Sequence, residues 1–183
     1  GGLGLDLLFA TAISQSIGGA VAPLPYCGSY VMAPIAIQIG ASKSQKENIF
    51  NEMSSSNIKF GIAFSEYFGS RDSSSINFSN EKINGKTIFA IDCDYATDVL
   101  VSDASGKIGI VSIEDKNIEI VDLITVDKTR TYKEIKFSNA NVEILENTKK
   151  NTDAIEKALD AGRIITAADT LGASQAMLDK AVS

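Results

Sequence analysis

A chain of 183 residues with 44% hydrophobic and 22% charged residues holds enough apolar material for a sizeable core in one or two domains. Its net charge of −6 argues against a phosphate-backbone partner, and the complete absence of histidine excludes His-based metal sites, Ser–His triads and Cys–His pairs. Cys27 and Cys93 stand alone and read as reduced, buried thiols of a cytoplasmic protein rather than a disulfide or a metal pair.

Helical periodicity opens the chain. Between Asp6 and Ala20, the residues Leu7, Leu8, Ala12 and Ile17 make an apolar stripe that ends at Gly18–Gly19. Residues 17–37 carry no charge, a run long enough to span a bilayer. Pro23, Pro25 and Pro34, with Gly18, Gly19 and Gly28, would break such a helix, and no basic segment precedes it. No membrane partner is therefore expected. The pattern predicts a helix, a proline turn and a second apolar helix over residues 30–39. A third helix starts at Ser42 or Ser44, since Ser42 with Gln45 and Ser44 with Glu47 both have capping-box spacing. Its buried face is Ile49, Phe50 and Met53.

The period then changes to two. Ile58, Phe60, Ile62 and Phe64 alternate with Lys59, Gly61, Ala63 and Ser65, as in a strand with one buried face. Short β-favouring runs follow at residues 76–78, 87–91, 99–101, 108–113, 118–121, 135–137 and 142–145. Asn84–Gly85 predicts a turn, and Asp103–Gly106 predicts a hairpin. Strands this short and this closely spaced point to a small sandwich or barrel. From residue 152 the helical period returns through Ile155, Leu159, Ile165, Ala168, Gly172, Gln175, Leu178 and Val182. No helix stop precedes Ser183, and Gly1–Gly2 is an abrupt start, so a chain truncated at both ends is expected. The fold class is α+β, with a partial helical domain at residues 1–56, a β-domain at 57–147 and a first C-terminal helix at 148–183.

Five segments in this order resemble the acyl-CoA dehydrogenase family. GGLGLDLL is similar to the stretch after the family's early helices. AFSEYFGSRD at residues 63–72 resembles the flavin strand and loop usually written Thr-Glu-Pro and then Gly-Ser-Asp. INGKTIFAI at 83–91 resembles the second flavin strand, which usually ends Trp-Ile-Thr. DKTRTYKEIKFSNANV resembles the returning strands of the β-domain, and ALDAGRIITAADTLGASQAMLDKAV the first C-terminal helix. The resemblance implies FAD as cofactor, with Phe64 and Ser65 at the flavin pyrimidine edge and Phe89, Ala90 and Ile91 beside the isoalloxazine ring. Gly69 and Ser70 would belong to a loop reaching the flavin and acyl-CoA phosphates, and Asp160 and Arg163 would help hold the thioester end and its pantetheine. Read without the family, Phe64, Phe89 and Ile91 are hairpin core, and Asp160–Arg163 is a solvated helix pair.

The departures from the family pattern matter equally. Ile91 replaces a hydroxyl-bearing residue, leaving its backbone alone to donate. Tyr67 stands where proline is common. The family's base is a glutamate, expected beyond Ser183; at the alternative position on the last helix this chain has Gly162, so no catalytic residue is assigned. The family activity is α,β-dehydrogenation of an acyl-CoA thioester to a trans-2-enoyl-CoA, with electrons passing to an electron-transfer flavoprotein, in a homo- or hetero-oligomer. The other expectation is a non-catalytic partner subunit in a mixed oligomer, for which Ile91 is the sign.

Overall fold

The computed structural model describes residues 4–68 and 75–183. Gly69 and Ser70, expected at the phosphate loop, lie outside the described residues.

The first helix, α1 (Leu7–Ala20), starts where Asp6 accepts the backbone N–H of Phe9 and ends at Val21 in a left-handed cap. Its inward face is not the expected stripe: Leu8 and Ala12 are exposed, while Ser14 and Gly18 are buried. The reason is what lies beneath, since α1 packs on the last helix, α4 (Asn151–Val182), backbone against backbone. A Cβ on Gly18 would run into the Asp169 carbonyl, and one on Gly172 into the Gln15 carbonyl. Ser14 Oγ donates to the Ile165 carbonyl at 2.8 Å. At so close a contact, small residues are the buried ones.

The second helical run begins earlier than expected, as a π-helical turn over Tyr26–Met32 that continues into α2 (Ala33–Gly40). Pro34 lacks an N–H, and its ring crowds the preceding turn; the wider winding before it absorbs both effects. In α3 (Lys43–Ser54), Ser42 is the cap and forms the full capping box with Gln45, so the Ser44 alternative is not used. Ile49 is buried, with Phe50 and Met53 packed beside it.

The strands are β1 (Phe60–Ala63), β2 (Asn77–Ser79), β3 (Lys82–Ile91), β4 (Asp98–Ser102), β5 (Ile108–Ser112), β6 (Ile118–Asp122), β7 (Tyr132–Asn141) and β8 (Glu143–Ile144). They form one mixed sheet in the order β6-β7-β3-β1-β4-β5-β8, with β2 paired to β3 and only β1–β4 parallel among these pairs. The expected turn at Asn84–Gly85 lies instead inside β3, at a shift in its register with β7. There Gly85 has φ +116°, and a Cβ would press on Ser75. The turn itself is Asn80–Glu81, both residues at positive φ, joining β2 to β3. The β4–β5 hairpin falls where expected, with Gly106 at φ +86° and Asp103 Oδ1 accepting from Ser105 and Lys107.

Alternation sorts the sheet into two cores. Phe60, Ile62, Leu100, Ile108 and Ile110 face the helices, joining Ile37, Ile155 and Ile165. Val99, Val101 and Val111 face the other way, toward Ile83, Ile135 and Phe137. The sheet curls far enough that Phe78 and Val142 cover Gly109 of β5. Among the described residues it is a single folded-over sheet whose ladder runs from β6 to β8 without closing. Both cysteines are free and buried; burial raises the Cys27 thiol and pushes Cys93 up to about 12, which favours the thiol over the thiolate. Among the described residues, no helix is long and apolar enough to cross a membrane, and no cluster of metal-ligating side chains occurs.

Candidate functional site

Strands β1 and β3 meet antiparallel at Ile62↔Ile91, so the ends of both expected flavin segments come together. Past β1, Phe64 is buried in the helix-side core. The next residue starts a 3-10 turn, Ser65–Phe68. Ser65 Oγ lies 2.9 Å from Thr87 Oγ1, which is fully buried in β3, so a hydroxyl pair fixes this turn on the sheet. Glu66 is buried, and Tyr67 donates its hydroxyl to Glu156 Oε1 of α4 at 2.9 Å. That bond raises the Tyr67 pKa above the usual phenol value.

At the end of β3 the chain leaves regular pairing, with a register shift against β7 between Thr87 and Ala90. Phe89 sits there at φ +58°, an unusual conformation for a bulky residue. Its ring is half exposed and stands edge-on to Tyr132, centroids 6.4 Å apart at 83°. Ala90 is fully buried in the sheet core, whereas Ile91 packs toward the helices. Of the three residues expected beside a flavin ring, only Phe89 offers an open side-chain face. Ala90 and Ile91 have their backbone to contribute.

Asp92 follows, again left-handed at φ +58°. Its Oδ2 accepts the backbone N–H of Gly28 at 2.5 Å and of Ser29 at 3.2 Å. Burial raises its pKa above the usual carboxylate range, and the two backbone bonds and the Arg130 charge offset this in part. Ser29 Oγ donates to the Phe60 carbonyl of β1 at 2.5 Å, so the π-helical turn is tied to both strands.

On α4, Glu156, Asp160 and Arg163 are spaced four and three apart, on one exposed face. Arg163 Nη1 binds Asp160 Oδ1 at 2.6 Å, and both side chains are more than half exposed. The structure therefore places the two expected substrate residues on the face that Tyr67 meets through Glu156, while they satisfy one another. Gly162 points the opposite way. A Cβ there would lie 2.8 Å from Met32 Sδ, and Cys27 Sγ approaches the Gly162 carbonyl at 3.7 Å. A carboxylate side chain at this position would have to displace Met32.

Sequence reasoning missed Asp92, Tyr132 and the Arg130–Asp169 ion pair. The pair closes at 2.9 Å and joins the loop before β7 to α4. It borders a cleft of about 140 Å³ against α1 and α4, and Arg130 also lines a second of about 200 Å³ with Asp92, Asp94 and Tyr95. An acid directly after an apolar strand, as in Ile91–Asp92, is a legible sign of a strand end, but not of what the acid holds.

The comparisons with known proteins bear on this geometry. No protein-family model matches the chain, and no curated protein matches it. Solved structures do. A glutaryl-coenzyme A dehydrogenase in complex with glutaryl-CoA is 18% identical with a TM-score of 0.80, over 100% of this chain and 52% of that one. An acyl-CoA dehydrogenase from Geobacillus kaustophilus is 17% identical with a TM-score of 0.80, over 98% and 53%. The ChsE4–ChsE5 complex from Mycobacterium tuberculosis gives 17%, 0.80, 98% and 50%. The chain thus has the acyl-CoA dehydrogenase fold and spans about half the length of the solved chains it matches.

Proposed function

We propose that this chain forms the flavin-facing part of an FAD-dependent acyl-CoA dehydrogenase. The observation that carries the reading is Phe89, a half-exposed aromatic held in a left-handed bulge where two strands of this fold converge. A planar ring fits an open aromatic face flanked by strand-end backbone N–H groups, and the Ser65–Thr87 hydroxyl pair offers a polar edge beside it. In this reading Phe64, Ser65, Phe89, Ala90 and Ile91 hold the cofactor, Phe64, Ala90 and Ile91 through their backbone, together with Gly69 and Ser70 of the loop.

A bound flavin would supply the acceptor for the β-hydrogen of an acyl-CoA thioester, giving a trans-2-enoyl-CoA. Arg163, released from Asp160, is the cation for the thioester end and pantetheine arm. Proton abstraction is assigned to no described residue, since Gly162 stands where this helix would carry a base. An electron-transfer flavoprotein is the proposed electron acceptor.

A second reading has its own observation. The packing of Met32 and Cys27 on Gly162 closes the one helix position at which this chain could carry the base, and Ile91 offers no hydroxyl. Both fit a non-catalytic subunit that lends its fold to a mixed oligomer. Purifying the native assembly, identifying its flavin and assaying enoyl-CoA formation with an artificial electron acceptor separates the readings. Flavin on this chain with turnover supports the enzyme. Flavin and turnover confined to a second, different subunit support the silent partner, and an assembly with neither contradicts both.

A further inference from the structure

We infer that Asp92 is a positioning residue: by holding the Gly28 and Ser29 N–H groups of the π-helical turn, its carboxylate fixes the outward pose of the Phe89 ring. The inference rests on the reading of the Phe89 bulge as a flavin contact, and it concerns what keeps that bulge in place. Two left-handed residues that are not glycine, Phe89 and Asp92, bracket Ala90 and Ile91. Phenylalanine strongly disfavours this conformation, so its surroundings must maintain it. The β3–β7 ladder flanks the Phe89 bulge, at Thr87↔Ile135 on one side and at Ala90↔Lys133 and Ile91↔Tyr132 on the other, but it ends one residue short of Asp92.

The Asp92 carboxylate takes over at that point. It binds Gly28 and Ser29, and Ser29 binds Phe60, so β3, the π-helical turn and β1 close into a triangle around the Ile62↔Ile91 crossing. Gly28 is what admits the carboxylate, since a Cβ there would lie 2.8 Å from Oδ2. The groups facing Asp92 are Arg130 and Asp94, with both cysteine thiols nearby. Arg130 is already committed to Asp169, so the carboxylate is held chiefly by backbone dipoles. A half-buried carboxylate without a dedicated cation costs stability at neutral pH, and groups kept at such a cost cluster where geometry serves function.

The test uses Phe89→Trp as the parent protein, because the chain has no tryptophan and the emission then reports this position alone. Asp92→Ala, Asp92→Asn and Gly28→Ala are added singly. Each is followed by acrylamide quenching without flavin and by tryptophan quenching on titration with FAD. Asp92→Asn keeps an acceptor and tolerates the left-handed region, so it retains both parental readouts. Asp92→Ala and Gly28→Ala change the acrylamide accessibility and weaken FAD binding at least about tenfold, a clear step on the affinity scale. Gly28→Ala displaces the carboxylate while leaving Asp92 in place, and so carries the test should Asp92→Ala not fold. If these two variants lower the melting temperature but leave both readouts parental, the inference is overturned. If FAD quenches the parent and all variants alike, the flavin reading stands and the Asp92 inference fails. If FAD quenches none of them while acrylamide accessibility changes as expected, Asp92 is confirmed as the clamp and the flavin reading fails.

Discussion

The α1–α4 seam and the end of β3 solve opposite problems. Along the seam, Gly18 and Gly172 let two backbones touch, and the geometry is bought by removing side chains. At the end of β3 the backbone takes conformations natural to glycine, yet the chain places Phe89 and Asp92 there. A left-handed non-glycine residue costs about 1–2 kcal/mol. The seam is thus built for packing alone, whereas the bulge keeps two side chains against the preference of its backbone. Function is therefore sought at the strained aromatic and the half-buried acid rather than at the tightest contact.

The largest effect is expected at the seam. Gly172→Ala drives a Cβ into the Gln15 carbonyl, a clash between backbones that no rotamer relieves. It should lower stability by at least about 3 kcal/mol, the upper end of ordinary overpacking, read from the urea midpoint. A loss under about 0.5 kcal/mol, the scale of an ordinary surface substitution, would mean that the helices are not in this contact. At the bulge the pattern reverses. Phe89→Gly relieves strain and loses little buried area, so stability should stay within about 1 kcal/mol of the parent. FAD affinity should nevertheless fall at least about tenfold, as expected when a stacking ring is removed.

Asp92 sharpens the contrast through pH. Its folded pKa is raised by burial, so its protonated form favours the fold. Its contribution to stability is fully present below the ordinary carboxylate value and lost as pH rises through the raised folded value. Asp92→Asn should therefore stabilise the protein at neutral pH, with the gain shrinking across that window on acidification. A gain independent of pH would contradict the assignment. The smallest effect belongs to Arg163→Ala on the exposed face of α4. Losing a solvated i,i+3 pair should cost no more than about 0.5 kcal/mol, while acyl-CoA affinity drops severalfold. Equal affinity for acyl-CoA before and after would remove Arg163 from the site.

Much of the fold was legible because it is written in local chemistry. The Ser42–Gln45 box and the Asp103–Gly106 hairpin each depend on neighbours in the chain. So does the strand read from Phe60 to Phe64, although both of its faces are buried rather than the one expected, because the sheet has a core on each side. The Leu7–Leu8–Ala12–Ile17 stripe misled at Leu8 and Ala12, though Leu7 and Ile17 are partly buried, since hydrophobic periodicity cannot see that the opposing surface is a helix close enough to demand glycine. Asn84–Gly85 misled likewise: the dipeptide serves equally in a turn or a bulge, and Asn80–Glu81 took the turn. At the site, the strand pairing that joins Ile62 to Ile91 could be anticipated from the order of segments. The Asp92–Gly28 bond spans 64 residues and has no local signature.

The central claim is that Phe89 presents an open face for a flavin. An NMR titration of the protein with FAD, following the ring signals of Phe89 and Tyr132 and the amides of Ser65, Ala90 and Ile91, tests it most directly. The account predicts saturable shifts at these positions, reduced for Phe89→Gly. Shifts absent there, or confined to the clefts beside Arg130, would contradict it.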